Sequence, residues 1–458
     1  MYNARQLFET SEKLDDPPPS LALRPSESEK DAASARLRLK VRDETSWNDW
    51  KWQMRSRIRN VASLLNYFPN LQDKLSIAGI IKKYPLAITP YYASLIHRLD
   101  NSDPVYAMSV PQLEELNNPA FLSEDPLEEN EDMPVPGLVH RYGDRALLMA
   151  TTTCSSYCRH CTRKRVAGTR EVIISPQRLA QSVAYLKEHP EIHDVIISGG
   201  DPLTMPTAAL EQILIGLRSV ETVQIVRIGT RVPVVLPMRI TDELTSMLKR
   251  YHPLWINTHF NHPNELTEEA AEACAKLADA GIPLGNQSVL LKGINDSPKI
   301  MEELCRGLVS MRVRPYYMYQ CDLVRGVEHF RTPLSRGIEI VEYLRGRLSG
   351  LAIPTFVVDA PYGGGKIPVT PNYIISMSPT HTVLRNFEGM MVNYPEPGVD
   401  IKPQPQNGCE QNVGVWELVS GKASSLQPAK TGRGLRRQKI VEKRKSSQKP
   451  FENALFEL

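Results

Sequence analysis

No apolar run in the 458 residues approaches the roughly 18 that a bilayer-crossing helix needs, so no membrane-spanning helix is expected. The opening Met1-Tyr-Asn-Ala-Arg is not a charged-then-apolar signal sequence, which argues against export. The seven cysteines, at 154, 158, 161, 274, 305, 321 and 409, form no evenly spaced extracellular framework. A reducing, cytoplasmic compartment is expected for them. A strong overall charge is missing too: 55 Lys and Arg against 52 Asp and Glu leave +3, so a globally basic nucleic-acid binder is not indicated. The balance is uneven, however. Residues 429–449 hold nine Lys/Arg against the single acid Glu442, which leaves a net −5 on the rest of the chain. That basic tail reads most simply as a solvated terminus; a salt-dependent nucleic-acid or ribosome contact is the alternative. No internal repeat is apparent.

Residues 1–44, with Pro17-Pro18-Pro19 and many Ser and Asp, read as a mobile arm. A helical region, 45–133, begins at Trp47-Asn-Asp-Trp50-Lys-Trp52, whose tryptophans read as core packing. An acidic loop opening at Asp125-Pro126 and closing at Pro134-Val-Pro136-Gly137 marks the passage into the core, 134–396. There, strand-length apolar runs at 146–151, 195–198, 223–228, 255–258, 284–291 and 313–319 alternate with helical stretches at 175–188, 207–218, 241–251, 265–280 and 299–311. A helix at 336–348 and a strand at 355–359 follow. The pattern predicts an α/β fold, a parallel sheet covered by helices; periodicity does not tell an open sheet from a barrel. In a parallel barrel, chemistry collects at the C-terminal ends of the strands. The polar motifs stand there: the cysteines after the first strand, Ser198-Gly199-Gly200-Asp201 after the second, His259 after the fourth and Asp322 after the sixth. Residues 397–458, Pro/Gln/Asn-rich and then basic, read as a disordered tail without a core of its own.

Cys154, Cys158 and Cys161 form a C-x3-C-x2-C run, which is more than a redox pair needs and one thiol short of a closed tetrahedral zinc site. Three thiolates can hold three corners of a cubane iron–sulfur cluster and leave the fourth iron open. The plainer readings are three unrelated buried thiols, or zinc completed by His160. The run resembles the signature of the radical S-adenosylmethionine (SAM) enzymes, whose open iron takes the amino and carboxylate groups of SAM. Gly199-Gly200 at a strand end allows close backbone approach to a ligand, or simply a tight turn. Gly363-Gly364-Gly365 before Lys366 lets a lysine reach a concave centre, where an amine can form a Schiff base, pyridoxal phosphate (PLP) being the usual aldehyde. A phosphate-cradling loop is the alternative, but no Ser/Thr follows the lysine. In His140-Arg141-Tyr142-Gly143-Asp144-Arg145, two arginines four apart can grip a phosphate, with the tyrosine ring between them against a planar heterocycle. Surface salt-bridging is the bland reading. His259 and His262 lack a helix or third ligand to make a metal pair.

These motifs, with Asn257–Glu265, Gly285–Ser288, Tyr316–Leu323 and Phe356–Lys366, together resemble the lysine 2,3-aminomutase family over residues 45 to 397. The resemblance implies a partial (β/α)6 radical SAM barrel, one [4Fe-4S] cluster, SAM and PLP, and migration of the 2-amino group of an amino acid to carbon 3. It implies that Cys154, Cys158 and Cys161 hold the cluster, and that Gly200, Asp201, His259 and Gln287 contact SAM. Lys366 would be the Schiff-base lysine, with Arg141, Tyr142 and Arg145 around PLP. Arg163 would clamp the substrate α-carboxylate, while Asp322 and Asp359 receive the ε-ammonium of lysine. Two carboxylates facing a buried cation supply the charge compensation it needs. L-lysine is the substrate implied, with arginine, or a lysine on a translation factor, as alternatives. An electron donor such as flavodoxin or ferredoxin and a homo-oligomeric state are also implied. Zinc-bearing relatives carry a cysteine after an Asn-Asp turn; here Ser297 follows Asn295-Asp296, and only Cys409 stands in the later region. A structural zinc is therefore not expected.

Overall fold

The computed structural model describes residues 44–69, 74–168, 170–361, 363–397, 415–420, 425–426, 435, 438 and 442; the segment 1–44 read as an arm, except Glu44, and most of the basic tail, with Cys409, lie outside them. One sheet organises the molecule. Its strands run in chain order: β1 (Leu138–Tyr142), β2 (Arg145–Thr151), β3 (Asp194–Gly199), β4 (Ile225–Gly229), β5 (Leu254–Thr258), β6 (Leu284–Leu290), β7 (Arg314–Gln320), β8 (Thr355–Ala360) and β9 (Gly365–Pro368). Strands β2 to β8 are all parallel, and β1 and β9 flank them antiparallel. Helices α1 (Pro176–Glu188), α2 (Thr207–Arg218), α3 (Asp242–Leu248), α4 (Glu268–Asp279), α5 (Pro298–Ser310) and α6 (Leu334–Leu344) follow β2 to β7 in turn. These are six βα units, the alternation that the sequence predicts, with β8 as one more parallel strand. Among the described residues β1 and β9 do not pair, so hydrogen bonding does not close the barrel.

The period of two along each strand separates two jobs. Leu148, Val195, Ile197, Val226, Ile228 and Ile256 are buried under the helices. Leu147, Ile196, Ser198, Arg227 and Asn257, one residue out of phase, face the barrel interior. The helices start where the sequence supplies caps: Ser175 accepts from the Arg178 amide with Pro176 in the first turn, and Thr267 accepts from the Ala270 amide.

Three local features differ from expectation. The Trp47 segment is two helices, Glu44–Asn48 and Trp50–Arg55, because Asp49 turns its carboxylate onto the Lys51 and Trp52 amides and restarts the helix. The expected core role of the tryptophans holds for Trp47 and Trp50, which pack against the buried cluster. His140–Tyr142 is a strand, paired with β2 through a tight turn at Gly143-Asp144. Residues 397–458, expected to lack a core, contribute α7 (Val415–Val419), with Leu418 buried, and β13 (Ser425–Leu426). The latter pairs with β12 (Met391–Pro395) of a second sheet that also holds β10 (Ile374–Met377) and β11 (His381–Arg385).

Candidate active site

The C-terminal ends of the parallel strands open onto a cavity of about 630 Å³. Every site residue singled out from the sequence lines it: Cys154, Cys158, Cys161 and Arg163 after β2, Gly200 and Asp201 after β3, His259 after β5, Gln287 in β6 and Asp322 after β7. Asp359 in β8 and Lys366 in β9 complete the far wall, with Arg141, Tyr142 and Arg145 from the β1–β2 hairpin. Parallel strands bring together the residues that follow β2, β3, β5 and β7 because each strand ends on the same side of the sheet, while Arg145 stands at the opposite, N-terminal end of β2.

The cysteine loop is held from three directions. A Cβ on Gly199, whose φ is +122°, would lie 2.2 Å from the Thr151 carbonyl oxygen, and one on Gly200 would lie 2.4 Å from that of Thr153. The amides of Gly200 and Asp201 donate to those same two carbonyls. The Gly-Gly pair therefore serves first to dock the strand end against the segment entering Cys154. Asp201 turns inward too: its carboxylate accepts from Thr230 Oγ1 (2.6 Å), the Arg231 amide (2.7 Å) and the Leu203 amide (3.1 Å). The N-terminal helices grip the other side. The Tyr157 and Arg159 amides donate to the carbonyls of Ala87 and Met108, and Arg57 Nη1 donates to the Cys154 carbonyl at 2.6 Å. Fully buried Glu115 takes both Arg159 (2.6 Å) and Lys164 (2.8 Å).

Burial and the nearby Asp201, Cys161 and Cys158 push the Cys154 thiol well above its usual range. Burial and Cys158 push Cys161 up to about 11. Sulfurs this close resist ionisation together, and bound iron would offset their repulsion. Arg231, itself held by Glu265 at 2.7 Å, donates from Nη1 to Cys158 Sγ at 2.8 Å. Three thiols on one loop suit a multi-iron cluster, whose thiolates sit on separate irons. Burial and the Arg231 charge hold the His160 ring well below the usual imidazole range, and it packs edge-on against Phe330. His262 accepts from the Asn264 amide as a cap, and burial and Arg231 hold His259 near 4, neutral at ordinary pH.

At the far side, β8 and β9 pair with Asp359 opposite Lys366. Lys366 Nζ lies 2.9 and 3.1 Å from the two carboxylate oxygens of Asp359 and 5.2 Å from the Tyr319 ring centre. The rings of Tyr316, Tyr317 and Tyr319 step along β7. An amine, an aromatic wall and Arg141 form a set that suits an aromatic aldehyde phosphate. Tyr142 departs from the expected sandwich: the Arg145 guanidinium covers one ring face at 3.8 Å, and the phenol oxygen accepts from the Lys366 amide at 3.0 Å. Its ring is thereby fixed beside the lysine and not between two free arginines.

Between the two ends lie Arg163 and Asp322. Arg163 is already paired with Glu129 (2.6 Å) and also reaches Ser198 Oγ at 3.3 Å. Asp322 accepts from Thr162 Oγ1 at 2.5 Å. Burial, with the nearby Asp359 charge, raises its carboxyl from 3.8 to about 6. Arg57, Glu115, Glu129, Arg231 and Glu265 carry no local signal of these roles in the sequence, since their partners lie tens of residues or more away.

Residues 148–304 match the model of the Radical SAM superfamily, and residues 341–453 that of Lysine-2,3-aminomutase. The chain is 52% identical over 405 residues to an L-lysine 2,3-aminomutase of Clostridium subterminale, covering 86% of this chain and 96% of that one. An L-lysine 2,3-aminomutase of Bacillus subtilis is 48% identical, with 87% of each chain covered. A glutamate 2,3-aminomutase of Clostridioides difficile is 45% identical over 78% of this chain and 85% of that one.

Proposed function

This chain belongs to the lysine 2,3-aminomutase family of radical SAM enzymes, and from that premise we propose that it converts L-lysine to L-β-lysine by moving the 2-amino group to carbon 3. The observation that carries the choice of substrate is the cavity's charge: the Arg163 cation beside the cysteine loop and the Asp322 and Asp359 carboxylates line the same cavity. That charge pattern suits an α-carboxylate at one end of the substrate and an ammonium at the other. A carboxylate-tailed substrate would meet two acids there.

Cys154, Cys158 and Cys161 would hold the cluster, with SAM beside Gly200, Asp201, His259 and Gln287. PLP would be held by Lys366, Arg141, Tyr142 and Arg145. When bound, the cluster and SAM supply one-electron hydrogen abstraction, and PLP supplies delocalisation of the unpaired electron. The protein's own part is placement. Arg163 fixes the carboxylate, which aims carbons 2 and 3. The Asp pair anchors the ε-ammonium and so rejects chains of the wrong charge. Asp359 is held by Lys366 in the ligand-free chain; committing Nζ to the cofactor frees that carboxylate for the substrate ammonium. The electron comes from a donor such as a flavodoxin or ferredoxin, the assembly is homo-oligomeric, and a cytoplasmic site suits thiols that must stay reduced. The residue blocks 45–133 and 134–396 act as holder and barrel.

The test is anaerobic reconstitution with iron, sulfide, SAM and PLP, followed by incubation with L-lysine, L-arginine or L-glutamate and chromatography for β-amino acids. β-Lysine is the expected product. β-Arginine alone would reassign the substrate, since paired carboxylates also fit a guanidinium; no β-amino acid from any of them would refute the reading.

A further inference from the structure

The acidic loop that marks the entrance to the core in the sequence has no place in the scheme above. In the structure its members reach two of the arginines assigned to anions, Arg163 and Arg141. Glu129 accepts from Arg163 Nε at 3.0 Å and from Nη2 at 2.6 Å. Asp132 accepts from Arg141 Nε at 2.7 Å, and the Leu127 carbonyl accepts from Arg141 Nη2. Asp125 anchors the same segment on Arg165 at 3.0 Å. A Cβ on Gly363, in the loop before Lys366, would lie 3.8 Å from Glu128 and 3.9 Å from Asp132, so the segment touches that wall as well.

The geometry is the same at both arginines. A guanidinium carries five N–H donors. In each case the segment takes the Nε–H and one Nη2–H, the side edge. The end, with Nη1 and the second Nη2–H, is left over; at Arg163 one of these also reaches Ser198 Oγ. An end-on fork of this kind can bind a carboxylate or phosphate in bidentate fashion, as the side edge binds Glu129. Glu129 is itself only 6% exposed, so it belongs to the wall and is not a surface charge that happens to reach in.

We propose that the segment Asp125–Asp132 is the positioning element of the two anion sites, Glu129 aiming Arg163 at the substrate α-carboxylate and Asp132 aiming Arg141 at the cofactor phosphate. The proposal rests on the roles assigned to those arginines above. Glu129 and Asp132 are positioning residues; they act through the guanidinium ends they leave free.

The test uses the fully loaded enzyme and calorimetric affinities for L-lysine and for 1,5-diaminopentane, which lacks the carboxylate. Glu129→Gln keeps the shape and loses the charge. It should weaken lysine roughly tenfold and leave diaminopentane unchanged. Asp132→Asn should weaken PLP about as much in an absorbance titration, with lysine affinity at saturating PLP unchanged. Equal weakening of both diamine and lysine by Glu129→Gln would mean general distortion and overturn the proposal, as would no change. Tighter lysine binding would show that Glu129 competes with the substrate, which also overturns it. Arg163→Lys serves as the reference: if it spares the preference for lysine over diaminopentane, the reading of Arg163 itself fails. If Arg163→Lys abolishes that preference and Glu129→Gln does not, only the positioning role fails. Should Glu129→Gln not fold, as judged by its thermal midpoint, Glu129→Asp carries the test; it keeps the charge but shortens the reach, and should weaken lysine selectively too.

Discussion

Replacing Asp322 by Asn should make the ligand-free protein more stable and the enzyme worse, and both effects follow from one carboxyl. In the folded chain this group titrates near 6, raised from 3.8 first by burial and then by the Asp359 charge. A folded-state value above the unfolded one means that the fold favours the protonated form. The penalty is absent below about pH 4, grows as pH rises through 6, and is complete above it. Two orders of magnitude in proton affinity correspond to roughly 3 kcal/mol. The side chain keeps some solvent contact, so ~1–2 kcal/mol is the expected gain for Asp322→Asn at pH 7.5, shrinking to nothing near pH 4. Urea unfolding of the apoprotein across that range measures it. Turnover goes the other way. An ε-ammonium left with one carboxylate loses about 2–4 kcal/mol of charge compensation, or roughly 30- to 1000-fold in kcat/KM. The wild-type kcat/KM for lysine should fall tenfold per pH unit below about 6, where Asp322 protonates while the ammonium stays charged. That acid limb should vanish in Asp322→Asn. A variant that loses turnover but is less stable than wild type at pH 7.5, or that keeps the acid limb, would refute the reasoning.

Borohydride reduction of the PLP-loaded protein and peptide mapping should place the pyridoxyl group on Lys366, and Lys366→Ala should retain no label; a label on another lysine would remove Lys366 from its role. Gly200→Ala must push a methyl to within 2.4 Å of the Thr153 carbonyl oxygen. It should cost about 1–3 kcal/mol in urea unfolding and lower the iron retained after anaerobic reconstitution; unchanged iron and stability would show that the strand end and cysteine loop are not in register as described. Glu115→Gln leaves Arg159 and Lys164 sharing a buried neutral amide, and should destabilise by about 3 kcal/mol in the same assay, with a loss under 1 kcal/mol arguing that water reaches the pair.

The barrel was legible because each of its signals is local. The strands are runs of five to seven residues, and alternation with capped helices shows in any window of thirty. The cysteine run is local too, and so is its meaning. What lay beyond reach is pairing across distance. Asp359 and Lys366 are seven apart, yet their contact depends on β9 folding back antiparallel on β8, and the glycines between them read only as flexibility. Gly199 and Gly200 looked like ligand-facing residues; their docking against Thr151 and Thr153 needs the β2–β3 register, which periodicity does not fix. Tyr142 looked free to stack, because nothing local predicts that Arg145 covers it across the turn. Buried carboxylates are the hardest to read. Glu115, Glu129 and Glu265 stand in unremarkable polar stretches, and only the fold brings guanidinium groups to them.

Those hidden carboxylates set the electrostatics of the cavity. Arg163 is matched by Glu129, Arg141 by Asp132, Arg231 by Glu265 and Lys366 by Asp359. A cavity with several unmatched guanidinium ions would be costly to form before any ligand arrived. Matching each cation from the side avoids that cost and still leaves donors at the guanidinium ends. Two lining carboxylates have no close cation: Asp201, held by Thr230 and backbone amides, and Asp322, whose close partner is the Thr162 hydroxyl. Asp322 is the carboxyl that burial raises to about 6, and so the group with most to gain from an arriving ammonium. On the proposed binding of the ε-ammonium, the imbalance that makes the empty site less stable would also select a cationic substrate tail, and would place the choice between lysine and glutamate at Asp322 more than at the paired Asp359.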